Sequence, residues 1–141
     1  MPVRKAEAEW RGGLRDGKGD MKVESGAFSG PYSFGTRFEN VKGTNPEELI
    51  GAAHAGCFSM ALSAGLEKAG HKPTRVHTTA SVKIDKVGEG FGITNIDLVC
   101  EAQVPGMDEA AFQQQAEGAK KNCPVSKALA SVPISLKAKL V

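Results

Sequence analysis

The chain has 141 residues, enough for one domain with a real core, and is 40% hydrophobic and 24% charged. Its formal net charge of +2 sets 18 Lys and Arg against 16 Asp and Glu, with both signs mixed along the sequence. No Lys/Arg run reaches polybasic length, which argues against nucleic acid or an anionic membrane as partner.

The opening "MPVRKAEAEW" lacks the apolar core of a signal peptide, so a cytoplasmic protein is expected. Short strands follow, alternating around Ala6, Ala8 and Trp10, around Met21 and Val23, and in "PYSFGTRF" around Tyr32, Phe34 and Thr36. The glycine-rich turns "RGGLRDGKG" and "GAFSG" separate them, which predicts a β-meander.

From Asn45 to Gly70 the period changes to that of a helix. Asn45 suits the N-cap, with Pro46 at the first helical position, although Thr44 with Glu47 fits a capping box one residue earlier. Leu49, Ile50, Ala53, Cys57, Met60, Ala61 and Ala64 form one apolar side, and the remainder is nearly as apolar. Burial on several sides is expected, by a second helix among other neighbours. His54, Ser59, Ser63 and Glu67 interrupt this stretch, which is expected to be too short to cross a bilayer. Gly70 ends it.

Two strands, "PTRVHTTASVKIDKV" and "FGITNIDLVCEAQV", make a hairpin across "GEG"; Ile96, Leu98, Cys100, Ala102 and Val104 share its apolar face. A polar helix capped by Asp108, a short helix restarting at Pro124 and a closing strand "VPISLKAKLV" complete an α+β domain over 1–141.

The three cysteines, Cys57, Cys100 and Cys123, form no C-x-x-C pair, so zinc-ribbon and thioredoxin patterns are absent. Cys100 reads as a small buried hydrophobe. Cys123 falls at the N-cap of the last short helix, where unpaired amides favour a thiolate. Cys57 lies deep inside its helix, and its local sequence favours burial. His54, one turn earlier and about 60° away, is a possible pair for Cys57 but reads as a packing residue. Glu47 lies about 80° from Cys57 around the axis and Glu48 about 180°, so Glu47 is the acid on the right side. Roughly 15 Å of helix separates Glu47 from Cys57, so an arginine or a second subunit must complete any shared site.

The segments "GTNPEELIGAAHAGCFSMAL", "FGTRFE" and "NCPVS" resemble the OsmC/Ohr family of thiol peroxidases, on the OsmC side. The resemblance implies an intertwined homodimer that reduces organic hydroperoxides and hydrogen peroxide with no bound cofactor or metal. It implies Cys57 as the peroxidatic thiol, Cys123 as the resolving one, Arg37 as the cation that steadies the thiolate and Glu47 as its holder. An external dithiol would regenerate the thiols. The alternative is a non-enzymatic binder of small molecules or lipid using the same cleft.

Overall fold

The computed structural model describes all residues from 1 to 141. The N-terminal alternation forms β1 (Ala6–Arg11), β2 (Lys18–Val23) and β3 (Ser29–Tyr32), an antiparallel meander in that order. Gly19 pairs with both Trp10 and Tyr32, whose rings stand 5.3 Å apart. A Cβ at Gly19 would lie 2.6 Å from the Tyr32 ring and 2.7 Å from that of Trp10, so only glycine lets the two rings approach.

The expected continuation of the third strand through Phe34 and Thr36 is corrected. Those residues form a short helix, α1 (Phe34–Phe38), which carries Arg37. Ser33 Oγ accepts from the Thr36 amide at 3.2 Å, and Thr36 Oγ1 accepts from the Ser33 amide at 2.8 Å. This reciprocal cap satisfies two backbone donors locally, which the alternation in "YSFGT" could not reveal.

The long helix, α2 (Pro46–Lys68), begins at Asn45, whose Oδ1 accepts from the Glu48 amide at 2.8 Å. That bond decides the cap in favour of Asn45 over Thr44. Asn45 Nδ2 also donates to the Thr36 carbonyl at 3.2 Å. The helix closes as expected at Gly70, with φ +90°, and the His71 amide returns to the Leu66 carbonyl at 2.9 Å.

Two compact units divide the chain, Met1–Leu49 and Ile50–Val141, so the first turn of α2 falls with the meander. In the second unit, β4 (Arg75–Val87) and β5 (Gly90–Gln103) form the expected hairpin. The closing strand β6 (Ile134–Leu140) joins β5 in parallel, giving the order β4-β5-β6. Between β5 and β6 come α3 (Glu109–Asn122), capped by Asp108, and α4 (Pro124–Ala128). Ile96, Leu98, Cys100 and Ala102 of β5 pack with Phe58, Leu62 and Leu66 of α2 and Phe112 and Ala116 of α3. Alternate β5 residues such as Val99, 47% exposed, face away.

Only one side of α2 enters this core. The buried stripe is Gly51, His54, Phe58, Leu62 and Leu66, at the three-to-four spacing of a helix resting on a sheet. The side expected to carry the core is instead partly or fully exposed, Met60 to 77%. Within the single chain the one sheet of the second unit covers one face of α2.

The expected length limit is corrected too. At 23 residues, α2 is long and apolar enough to cross a membrane by length and composition alone. The serines and His54 that interrupt the sequence do not shorten the helix. Core helices meet the same criterion, and the stripe from Phe58 to Leu66 is packed into this core.

Removing the cap of α2 tests the local account. Asn45→Ala should cost about 0.5–2 kcal/mol in urea denaturation, and Asn45→Asp, which keeps the acceptor, clearly less. A larger loss from Thr44→Ala than from Asn45→Ala would move the cap back to Thr44.

Candidate active site

Cys123 stands at the junction of α3 and α4, where its own amide still closes α3 by donating to the Ala119 carbonyl at 2.9 Å. Its extended ψ of 129° turns the chain out of α3 and makes it the N-cap of α4, as the sequence predicts. Pro124, next in line, has no amide proton to give. The first donors of α4 are consequently the Val125 and Ser126 amides, and both serve sulfur. Ser126 N donates to Cys123 Sγ at 3.4 Å, and the Val125 amide lies where it favours the thiolate of either cysteine.

The second thiol is Cys57. It projects from α2, beside the buried stripe, and lies close enough to Cys123 for each thiol to shift the acidity of the other. Elements far apart in sequence thus bring together the two cysteines expected to act in one site. Cys57 is half-buried rather than buried, while Cys123 is wholly enclosed. Cys100 takes no part: it is sealed in the β5 core, opposite Thr78 of β4.

The two sulfurs differ in acidity. Burial pushes the Cys57 thiol up, its bond to Cys123 adds to this, and the Val125 amide offsets only part. Burial acts the same way on Cys123, but bonds from Cys57, from Ser126 amide and hydroxyl, and from Val125 outweigh it and bring its pKa down. Within the second unit, then, Cys123 is the more acidic of the two thiols.

His54 completes this environment. It lies fully buried on the core stripe of α2, and its Nε2 is 2.7 Å from Ser126 Oγ. Burial lowers its pKa, so the ring is neutral near pH 7. The sequence reading gives His54 only a packing role and gives Ser126 none. No local signal could have joined them, since 72 residues separate the two.

The first unit holds the expected ion pair. Arg37 Nη2 donates to Glu47 Oε1 at 2.7 Å, and Nε donates to Oε1 and Oε2 at 3.0 and 3.3 Å. The Glu47 side chain is 7% exposed and that of Arg37 36%, so a buried carboxylate fixes a more accessible guanidinium. The turn into α1 makes this possible by placing Arg37 on a helix beside the start of α2. Glu48, by contrast, is exposed and uses its amide in the Asn45 cap.

The family described as OsmC-like protein matches residues 39–137. The chain is 54% identical over 127 residues to Peroxiredoxin OsmC of Escherichia coli K12, covering 89% of both chains. It is 40% identical over 87 residues to an organic hydroperoxide resistance protein of Xanthomonas axonopodis, covering 61% of this chain and 59% of that one. Among solved structures, it is similar to the organic hydroperoxide resistance protein OhrB of Bacillus subtilis. That match has a TM-score of 0.76 and 26% identity, over 96% and 98% of the two chains. A second, from Elizabethkingia anophelis, gives a TM-score of 0.78 and 25% identity over 99% of each.

Access orders the thiols for an external reagent. In the reduced native protein, iodoacetamide should label Cys57 first, Cys123 more slowly, and Cys100 roughly a hundredfold more slowly, through opening of the core. Peptide mass mapping of a time course reads this order. Labelling of Cys100 ahead of Cys57 would contradict the burial described.

Proposed function

The chain belongs to the OsmC-like protein family, and from its paired thiols we infer that it is a thiol peroxidase reducing organic hydroperoxides, and hydrogen peroxide, to alcohol or water. The observation that carries this reading is the proximity of Cys57 to Cys123, an accessible thiol beside an enclosed one, each shifting the acidity of the other. The names of its relatives, a peroxiredoxin and organic hydroperoxide resistance proteins, support the same chemistry.

In the proposed cycle the Cys57 thiolate attacks the terminal peroxide oxygen. The O–O bond breaks, the alkoxide leaves and takes a proton as alcohol, and Cys57 becomes a sulfenic acid. Cys123 then attacks the Cys57 sulfur, the S–O bond breaks, and hydroxide leaves as water. An external dithiol reduces the resulting disulfide by exchange. Such a reductant, and three unpaired cysteines, suit the cytoplasm.

Cys57 needs help to ionise, because burial and the neighbouring Cys123 both raise its pKa. Arg37 is proposed to supply that help. A guanidinium stays charged at all working pH values and can lower a thiol pKa without accepting its proton. Glu47 already engages Nε and Nη2, which orients the fork and leaves Nη1 for another partner. The whole chain, 1–141, is proposed to act as one OsmC-like domain.

An obligate two-fold homodimer is part of this reading. The outward side of α2 presents Ala52, Ala53, Gly56, Met60 and Ala64, an apolar strip that soluble monomers rarely leave bare. Its small residues suit close approach by a second helix.

Four measurements test these proposals. With one equivalent of alkyl hydroperoxide, peptide mapping should find a Cys57–Cys123 disulfide and free Cys100; a bridge containing Cys100 would sink the assignment. Arg37→Lys keeps the charge but loses the planar fork, so peroxide consumption should fall by an order of magnitude or more. Glu47→Ala should be comparably damaging and Glu48→Ala mild; equal losses from the two glutamates would remove Glu47 from its role. Sedimentation should give a dimer at micromolar concentration, and a stable, active monomer would defeat that part. Mixing inactive Cys57→Ser and Arg37→Ala subunits then locates the arginine. If it acts across the interface, each heterodimer regains one intact site; if within its own chain, activity stays near zero.

A further inference from the structure

The buried bond between His54 and Ser126 plays no part in the steps above. Its neighbours on the α2 stripe are Phe58, Leu62 and Leu66, and an apolar side chain at 54 would continue the stripe. Histidine instead leaves Nδ1 buried with no partner, which costs free energy that packing alone does not justify.

We propose that His54 is a positioning residue for Cys123: its Nε2–H donates to Ser126 Oγ, which turns the Ser126 hydroxyl proton onto the Cys123 sulfur and holds it as a thiolate.

The direction follows from counting protons. A neutral imidazole carries one N–H. Were it on Nδ1, that proton would be buried with no acceptor, and Nε2 would draw the Ser126 hydroxyl proton away from sulfur. With the proton on Nε2, it is donated across 2.7 Å to Ser126 Oγ and only a lone pair is left unpaired. The serine hydroxyl is then free to donate to Cys123, which already receives the Ser126 amide at 3.4 Å. Burial keeps the ring in its neutral form, so the choice is between these two tautomers. Apart from His54 acting through Ser126, the titratable group that shifts the acidity of Cys123 is the Cys57 thiol.

The purpose of this arrangement rests on the two-cysteine cycle proposed above. Cys123 serves that cycle twice. As nucleophile it forms the S–S bond to oxidised Cys57 while hydroxide departs. As leaving group it takes the electron pair of the broken S–S bond when the external dithiol bonds to Cys57. His54 and Ser126 exchange no electrons in either step; they stabilise the charge on Cys123 in both.

The test needs no turnover. In a Cys57→Ser background, the thiolate fraction of Cys123 is read from the pH dependence of its alkylation. Ser126→Ala should raise the midpoint by about one unit, a tenfold loss of thiolate at neutral pH. His54→Phe should raise it similarly, and His54→Gln, whose amide N–H reaches toward the place of Nε2, should restore most of the difference. Because both remove one bond, His54→Phe should add little on top of Ser126→Ala. Nitrogen NMR of the wild type should show the Nε2–H tautomer of His54. An unchanged midpoint in His54→Phe, a full additional shift in the double variant, or an Nδ1–H tautomer would overturn the proposal. Ser126→Ala removes a single oxygen, so the titration stays readable even if His54→Phe folds poorly. A wild type without peroxidase activity would refute the functional reading and leave this titration standing, whereas a flat titration in an active enzyme would refute this inference alone.

Discussion

A negative charge on an enclosed sulfur has to be met by hydrogen-bond donors, and the start of α4 offers them to Cys123. Proline at the first position of α4 removes the amide that would otherwise point nowhere useful, and the next two amides turn to sulfur. The Ser126 hydroxyl and the Cys57 thiol lower the Cys123 pKa further. In a low-dielectric surrounding each donor counts for more than in water, which is why burial fails to raise the Cys123 pKa as it does that of Cys57. The chain reaches this geometry by closing α3 and opening α4 at one residue, so that Cys123 gives its amide to one helix and its side chain to the other.

Helix α2 has two duties that divide around its circumference. One stripe seals the sheet through Phe58, Leu62 and Leu66, and within that same stripe His54 reaches Ser126. The opposite side is apolar but open. Cys57 lies at the border between them, close enough to the core to meet Cys123 and far enough out to be reached. A shift of one residue would put a thiol either at Phe58, where nothing enters, or at Gly56, which is exposed. The half-buried setting of Cys57 is thus a consequence of its phase on the helix.

Much of this was legible in the sequence, for reasons that differ by element. The caps at Asn45, Asp108 and Cys123 and the stop at Gly70 are local chemistry, and each forms where the sequence places it. The alternation of Ile96, Leu98, Cys100 and Ala102 gave the core face of β5 directly. Two features resisted. The strand expected through Phe34 became α1 because a serine–threonine exchange of hydrogen bonds, which has no hydrophobic period, decided it. The core stripe of α2 was misplaced because an almost uniformly apolar helix has no preferred side until a sheet selects one. Of the candidate site, motif resemblance supplied the cysteines and Arg37, and helical phase with resemblance pointed to Glu47. The pairing of His54 with Ser126 has no sequence signature, since it depends on how α2 and α4 pack.

The asymmetry between the two sulfurs also gives the proposed cycle a direction. In thiol exchange the attacked sulfur is the accessible one, and the better leaving group is the thiol of lower pKa. Cys57 is the accessible sulfur and Cys123 the more acidic one, so both factors send a reductant to Cys57 and expel Cys123. Lower acidity would make Cys123 a stronger nucleophile toward the sulfenic acid, because nucleophilicity rises with pKa. That advantage has little value here, for Cys123 already stands beside Cys57 and its attack is intramolecular. The external dithiol has no such proximity. Stabilising the Cys123 thiolate therefore sacrifices rate in the step that proximity already favours and gains it in the step that depends on diffusion.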